Sequence, residues 1–212
     1  MNTSRRISCA IALTTVSLLN LNTGFAARME NIHDHSLHDI RKEHGPTIAT
    51  LDAQSKARRH AEMLSLDADS SLTLLTSDKD RGKNFYRYQQ TFRGIPVYGA
   101  SIALSEDEDG NLRSMFGLVG KDLAKDLAST DAKLTPQQAL TIAKRAAFGD
   151  GKQNTPMQDE TSEKTIYIHD KGTPHVAYKT GFFSARPGPT APGFIIDANT
   201  GEVHKRWEDL SH

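Results

Sequence analysis

The chain has 212 residues, which allows one or two domains, and its 26 basic and 26 acidic residues cancel to a formal net charge of zero. This balance gives no electrostatic reason to expect a nucleic acid or an anionic membrane as a partner. Hydrophobic residues make up 37% of the chain, which is enough for modest cores but lean for this length.

The first 27 residues have the pattern of a secretory signal peptide. Two arginines precede a mostly apolar stretch, residues 7–19, which has the length of a signal-peptide core and is too short to span a membrane. Small residues follow at Gly24, Ala26 and Ala27, so we expect cleavage after Ala26 or Ala27. The sequence therefore predicts an exported protein, secreted or periplasmic, without a membrane span. Because Cys9 lies in the removed segment, the exported chain would have no disulfide and no cysteine metal site.

Residues 28–50 are polar and rich in histidine, and we expect them to form a flexible N-terminal arm. Four histidines lie among carboxylates in this arm: His33, His35, His38 and His44. Imidazoles near carboxylates can bind a borderline metal such as zinc. A metal site needs a fixed scaffold, however, and a new N-terminus followed by the Gly45-Pro46 break does not offer one. We therefore favour an arm without a metal site, and metal binding by these histidines stays open.

A first folding unit is predicted over residues 51–120, beginning with a helix that Asp52 can cap. Within residues 86–104, apolar residues then occupy alternate positions on both sides of Gly94 and Pro96, which indicates two strands joined by a turn. Gly94 permits a sharp change of direction, and a proline beside a strand is typical of an edge or a strand start. The unit therefore consists of a helix followed by antiparallel strands.

The acidic segment at residues 106–111 has two interpretations. Its carboxylates resemble a calcium loop, but their spacing does not match the helix–loop–helix pattern and the closing glutamate is missing. Asp109-Gly110-Asn111 is instead a good hairpin turn, and we favour this interpretation.

Residues 121–133 are polar and lack a strong periodicity, so we interpret them as a linker to a second unit at residues 134–212. The helix of this unit has Thr135 as its N-cap, Pro136 at its first position and Gln138 to complete a capping box. Antiparallel strands follow, so the second unit repeats the order of the first. The predicted fold class is α+β, with two small subdomains that each pack a helix on an antiparallel sheet.

No catalytic centre is recognisable in the sequence. The segment His60-Ala61-Glu62 lacks the order and the second histidine of a zinc-hydrolase helix, and no Gly-x-Ser-x-Gly motif is present. The histidines of the second unit are scattered, and none is assigned a catalytic or metal-binding role: His169, His175, His204 and His212. We therefore expect the protein to bind another molecule rather than to convert one.

Two motifs resemble the propeptides of thermolysin-like (M4-type) metalloproteases. The segment "FYRYQQTFRGIPVYGASIAL" resembles the core of the fungalysin/thermolysin propeptide domain, and its family positions are Tyr88, Gln90, Gly94, Pro96, Val97, Tyr98 and Gly99. The segments "LTPQQALTIAKRAA", "PHVAYKTGF" and "GFIIDANTGEVHKRWEDLSH" resemble the PepSY domain, whose closing hairpin is matched at Asp197, Thr200 and Gly201. The resemblance covers about residues 50–212, is nearest to pseudomonad elastase and vibriolysin-type proenzymes, and implies cystatin-like subdomains.

This resemblance implies a propeptide that assists the folding of a thermolysin-like zinc metalloprotease catalytic domain and inhibits it. In the family a zinc catalytic domain follows directly, whereas this chain stops at His212, close to where the autoprocessing junction would lie. The chain itself is then expected to be no enzyme and to need no cofactor, since zinc belongs only to the partner.

The carboxyl-terminal tail is the expected inhibitory element and would lie in the protease cleft like a cleaved product: Trp207, Glu208, Asp209, Leu210, Ser211 and His212. Trp207 has two interpretations, an anchor at the protease interface or a cap over this protein's own sheet. Two other functions stay open, a stand-alone exported PepSY-type binding or regulatory module at the cell envelope and a truncated metalloprotease proenzyme. Action in trans as a separate gene product also stays open.

Overall fold

One nine-stranded sheet organises the fold. The computed structural model describes residues 26–48, 50–152, 154–170, 172–185 and 188–209, so the predicted signal peptide lies outside it except for its last two positions. The strands are β1 (Arg28–Asn31), β2 (Ser70–Asp80), β3 (Lys83–Phe92), β4 (Ile95–Glu106), β5 (Leu112–Lys121), β6 (Gln158–Ile168), β7 (Pro174–Phe183), β8 (Pro192–Asp197) and β9 (Val203–Glu208). The helices are α1 (Leu37–His44), α2 (Ala53–Met63), α3 (Leu123–Asp126) and α4 (Pro136–Phe148). Over these described ranges, no helix is both long and apolar enough to cross a membrane.

The amino-terminal part is an antiparallel meander of β2 to β5 with α2 packed against it. Asp52 caps α2 as predicted, because its carboxylate accepts a hydrogen bond from the backbone N–H of Ser55 at 2.9 Å. The core of this part buries side chains from all four of these strands, among them Leu72, Tyr88, Ile102 and Met115. The predicted hairpin is present, with positive φ at both turn residues, Arg93 and Gly94.

The carboxyl-terminal part repeats this order, with α4 followed by antiparallel β6 to β9. The predicted capping box is present: Thr135 Oγ1 accepts from the N–H of Gln138 at 3.2 Å, and the Gln138 side chain accepts from the N–H of Thr135 at 2.8 Å. The helix packs against β6, β7 and β8 over a core that includes Val176, Tyr178 and Phe194. The predicted α+β class is therefore confirmed.

Strand β4 joins the two parts because it has partners in both. It pairs with β3 near both of its ends and with β5 in its later half, whereas Val97 near its start pairs in parallel with Ile166 of β6. The hydroxyl of Thr165 also donates to the carbonyl oxygen of Pro96 at 2.8 Å. Gly99 lies between these two segments with φ +78°, a conformation that glycine adopts at little cost. The motif glycine thus marks the point where β4 changes partners.

Two glutamine side chains bind backbone groups beside this bend. Gln90 is completely buried and forms a two-bond bridge with Gly120 of β5: Nε2 donates to the carbonyl at 2.8 Å, and Oε1 accepts from the N–H at 2.7 Å. Gln89 Nε2 donates to the carbonyls of Val97 and Ala100 at 2.8 and 3.1 Å. Because buried backbone groups need partners, Gln89 stabilises the change of direction in β4, and Gln90 stabilises β5 beside it.

The segment predicted to be a flexible arm, residues 28–50, contributes β1 and α1 to the fold. Strand β1 pairs with β5 along its whole length. Ile32 and Ile40 are buried in the amino-terminal core, and His35 Nε2 lies 2.7 Å from Glu30 Oε1. The structure differs from the prediction because two apolar side chains are enough to dock this segment, despite its polar composition.

The predicted linker, residues 121–133, also packs against the rest of the protein. It contains the single turn of α3, and Leu123 and Leu127 are buried in the carboxyl-terminal core. From the β3–β4 turn, the Arg93 guanidinium donates to the carbonyls of Leu127 and Ala128 at 3.1 and 2.9 Å. The connection between the two parts is therefore held by side chains from both.

Replacing Gln90 by alanine tests the importance of the bridge to Gly120. The substitution leaves one buried N–H and one buried carbonyl without their partner, and each unpaired group costs about 1–3 kcal/mol. We expect the free energy of unfolding in urea to fall by this amount or more. The exposed Gln137→Ala in α4 is the matched control and should change stability by about 0.5 kcal/mol or less. Equal effects of the two substitutions would contradict the role given to Gln90.

Candidate functional site

The hairpin motif and the carboxyl-terminal strand meet in one aromatic cluster. The ring centroids of Tyr98 in β4 and Trp207 in β9 are 6.1 Å apart, with 39° between their planes. Tyr167 of β6 lies 6.0 Å from Tyr98, and Lys205 Nζ lies 5.1 Å from the centroid of the Tyr98 ring, a cation–π distance. Two groups of residues that the sequence places more than 100 positions apart are therefore in contact. We call these four side chains the Tyr98–Trp207 cluster.

Trp207 is half-buried because its indole lies on Gly193, its direct partner in β8. A Cβ atom at position 193 would overlap the indole ring, so glycine is needed for this approach. Of the two interpretations of Trp207, the structure supports the cap over the protein's own sheet. The exposed remainder of the ring is still accessible, and contact with a protease stays a prediction.

The end of β9 is held by the segment that leads into β8. The Glu208 carboxylate accepts hydrogen bonds from Thr190 Oγ1 at 2.9 Å and from the backbone N–H of Ala191. The N–H of Asp209 donates to the carbonyl of Ala191 at 2.8 Å. The last three predicted tail residues lie outside the described residues, and their role stays a prediction: Leu210, Ser211 and His212.

Asp197 organises the turn between β8 and β9, as its place in the family motif implies. Its Oδ1 accepts from the backbone N–H groups of Asn199 and Thr200, both at 2.8 Å, and Gly201 follows with φ +78°. Burial alone would raise the pKa of Asp197. The hydrogen bonds from these backbone groups and from two histidines outweigh burial and lower the pKa to about 2.

The two histidines are His175 and His204, to which sequence reasoning gave no role. His175 Nδ1 lies 2.8 Å and His204 Nε2 lies 3.2 Å from Asp197 Oδ2. The two ring centroids are 4.5 Å apart. Where side chains are described, this is the one group of three potential metal ligands whose donor atoms all lie within 4.8 Å of one another. We call it the His–Asp–His group.

The order of the strands in the sequence could have predicted this group. In an antiparallel meander, the start of β7, the end of β8 and the start of β9 lie at the same end of the sheet. His175, Asp197 and His204 occupy these three positions. Each histidine was considered singly from the sequence, so their convergence on Asp197 was missed.

A second buried polar cluster connects α2 to β3 and β4. His60 is completely buried, with Nδ1 2.8 Å from the Tyr88 hydroxyl and Nε2 2.9 Å from Glu106 Oε1. Burial would raise the pKa of Glu106, but hydrogen bonds from His60 and Tyr86 among others keep it below the ordinary value. Burial raises the pKa of Tyr86 to about 12. His60 thus belongs to a buried hydrogen-bond network, in keeping with its exclusion as a zinc-hydrolase histidine.

Each of the two parts of the chain matches a known protein family. Residues 70–118 match the Fungalysin/Thermolysin Propeptide Motif, and residues 133–207 match the Peptidase propeptide and YPEB domain. The chain carries the propeptide domains of thermolysin-like metalloproteases. The first propeptide domain includes the β3–β4 hairpin, and the second includes the His–Asp–His group and Trp207. The resemblance inferred from the sequence is confirmed.

The relatives found by sequence similarity are proteases, and they are much longer than this chain. The neutral protease of Vibrio proteolyticus is 27% identical over 99% of this chain and 32% of its own length. The thermolysin of Alicyclobacillus acidocaldarius is 32% identical over 68% of this chain and 26% of its own length. This chain therefore spans about a third or less of these relatives. Among solved structures, the Bacillus megaterium YpeB C-terminal domain aligns with 83% of this chain and 66% of that chain, at 17% identity and a TM-score of 0.33.

The pKa of Glu106 leads to a prediction about acid stability. Its folded-state pKa is below the ordinary value of 4.5, so its contribution to stability is complete above that pH and is lost as the pH falls through the lower folded-state pKa. We expect Glu106→Gln to reduce the free energy of unfolding at pH 7 by about 1.5–3 kcal/mol, the range for hydrogen bonds to a charged group.

The difference between the wild-type protein and Glu106→Gln should shrink as the pH falls below 4.5. Urea unfolding at pH 7, 5, 4 and 3 measures this difference in the free energy of unfolding. Glu62→Gln removes the same charge at an exposed position and should show a small difference throughout. A difference between wild-type and Glu106→Gln that is independent of pH would show that the charge of Glu106 does not stabilise the fold.

Proposed function

We propose that this chain is a secreted propeptide-type protein that assists the folding of a thermolysin-like zinc metalloprotease and inhibits it. The observation that carries the proposal is the presence of two propeptide domains in succession, in a chain whose relatives are such proteases. These domains are non-catalytic regions of the proteases. In this proposal zinc and the hydrolytic groups therefore belong to the partner.

The structure supports the folding role by offering a rigid template. Strand β4 holds both parts together, Gln89 binds the backbone of its bend, and the buried Gln90 binds the backbone of the neighbouring β5. A preformed surface can lower the folding barrier of a protease whose fold has many non-local contacts. The reason is that the protease chain loses less conformational entropy before those contacts form.

The position of β9 supports the inhibitory role. Strand β9 stands at one end of the strand order and pairs with β8 alone among the described strands. Its outer edge can therefore pair with an extended segment of the protease, and the exposed part of Trp207 lies on the same strand. Beyond Asp209 the tail would continue into the protease cleft.

Truncation after Asp209 tests the tail. The contacts of Glu208 and Asp209 with Thr190 and Ala191 are retained, so the far-UV circular dichroism and the thermal midpoint should not change. We expect the inhibition constant against a thermolysin-like protease to rise at least about tenfold, which corresponds to 1.4 kcal/mol of lost binding. Peptide-substrate assays with thermolysin and a vibriolysin-type protease provide the measurement.

A control with the last three residues replaced by glycine separates the loss of side chains from the loss of chain length. Unchanged inhibition by the truncated chain would refute the tail mechanism. If the intact chain neither inhibits these proteases nor raises their refolding yield, the propeptide proposal fails and a regulatory module of the cell envelope is favoured.

We also propose that export of this chain includes cleavage after Ala26 rather than after Ala27. The backbone nitrogens of Ala26 and Ala27 lie 2.6 and 2.7 Å from Asp126 Oδ2, and of the two residues Ala27 is the buried one. Cleavage after Ala26 would leave the α-ammonium group of Ala27 beside this carboxylate, which strengthens the hydrogen bond. Cleavage after Ala27 would remove Ala27 and with it this contact to Asp126.

Amino-terminal sequencing of the exported protein should therefore begin at Ala27, and a chain beginning at Arg28 would contradict the proposal. Asp126→Asn should lower the stability of the exported form by about 1.5–3 kcal/mol, because it removes the charge facing the new ammonium group. Asp34→Asn changes the same charge at an exposed position and is the control. Urea unfolding of the two variants gives the comparison.

A further inference from the structure

We propose that His175, Asp197 and His204 form a binding site for a divalent transition-metal ion of the zinc class. The three side chains come from β7, β8 and β9, and they direct two imidazole nitrogens and one carboxylate oxygen to a common point. The proposal does not rest on the contact with a protease and is tested without one.

The distances between the donor atoms are close to those of a zinc site. Zinc binds imidazole nitrogen and carboxylate oxygen at about 2.0–2.2 Å, which places two ligands of a tetrahedral ion roughly 3.3–3.5 Å apart. The two nitrogen–oxygen distances to Asp197 Oδ2 are 2.8 and 3.2 Å, and all three donor atoms lie within 4.8 Å. To admit the ion, the imidazole rings would have to turn so that their nitrogens move away from Oδ2.

Neighbouring groups hold two of the ligands in place. Asp197 Oδ1 is occupied by the backbone N–H groups of Asn199 and Thr200, so Oδ2 is the oxygen left for the histidines or an ion. The His204 side chain is only 5% exposed, and its ring stacks on Tyr167 at 5.5 Å with 19° between the planes. Such contacts orient metal ligands before the metal binds and raise affinity.

The identity of the donors selects the class of metal. Imidazole nitrogen suits zinc, copper, nickel and cobalt, whereas calcium and magnesium require oxygen ligands. The His175 side chain is 29% exposed, which opens the group to solvent and gives an ion a path of entry. Three protein ligands leave a fourth position for water.

Calorimetric titration of tag-free, metal-free protein with zinc chloride tests the proposal. We expect one site per chain with micromolar or tighter affinity, and no binding of magnesium or calcium. His175→Gln and His204→Gln should each weaken zinc binding at least tenfold. His38→Gln, in the exposed histidine-rich segment, is the matched control and should leave the affinity unchanged. Absence of zinc binding, or binding lost with His38 and retained without His175 and His204, would overturn the proposal.

Chemical modification of the wild-type protein gives a second test that does not depend on how well the variants fold. Diethylpyrocarbonate labels accessible histidines, and mass spectrometry locates the label. Zinc should protect the peptide containing His175, whose side chain is 29% exposed, while leaving labelling of His38 unchanged. Equal labelling of His175 with and without zinc would show that the group is only a hydrogen-bonded contact between histidines and Asp197, and the proposal would be rejected.

Discussion

The change of partners by β4 at Gly99 is the constraint on which the rest of the structure depends. A strand that leaves its neighbours exposes backbone groups in the interior, and such groups cost free energy unless other donors and acceptors replace the lost partners. The amide of Gln89 supplies such a replacement for β4, and the amide of Gln90 does so for the neighbouring β5. The glutamines therefore allow one strand to belong to two sheet segments.

Because of this arrangement, residues of both propeptide domains are buried in one hydrophobic core. Phe92, Val97 and Ala100 from the first domain are buried in the core of the second, beside Ile166 and Phe194. The same strand carries Tyr98 to the ring of Trp207. Strands β4 and β9 are therefore in direct contact, even though the two are far apart in the chain.

The sequence was sufficient for elements whose stabilising groups are close together along the chain. The N-cap at Asp52 and the capping box of Thr135 and Gln138 are local and were predicted correctly. The docked segment at residues 28–50 was not, because its partner strand is distant and its two apolar anchors are diluted by polar residues.

The candidate site shows the same division between local and distant signals. The turn at Asp197, Thr200 and Gly201 is readable from a short motif. The convergence of His175 and His204 on Asp197 depends on how three strands align, which no single motif specifies. The buried network of His60, Tyr88 and Glu106 likewise needs a helix and two strands to be placed before it exists.

The docking of β1 on β5 has a consequence for the order of assembly. The backbone nitrogen of Ala27, just before β1, binds the carboxylate of Asp126, which lies 99 residues later in the chain. A ribosome makes the beginning of the chain first, so this segment has no place to dock until Asp126 has been synthesised. Closing so long a loop is slow compared with forming a hairpin. Strand β1 is thus the first strand to be synthesised and among the last to pair. Until it pairs, the edge of β5 that binds β1 has no partner.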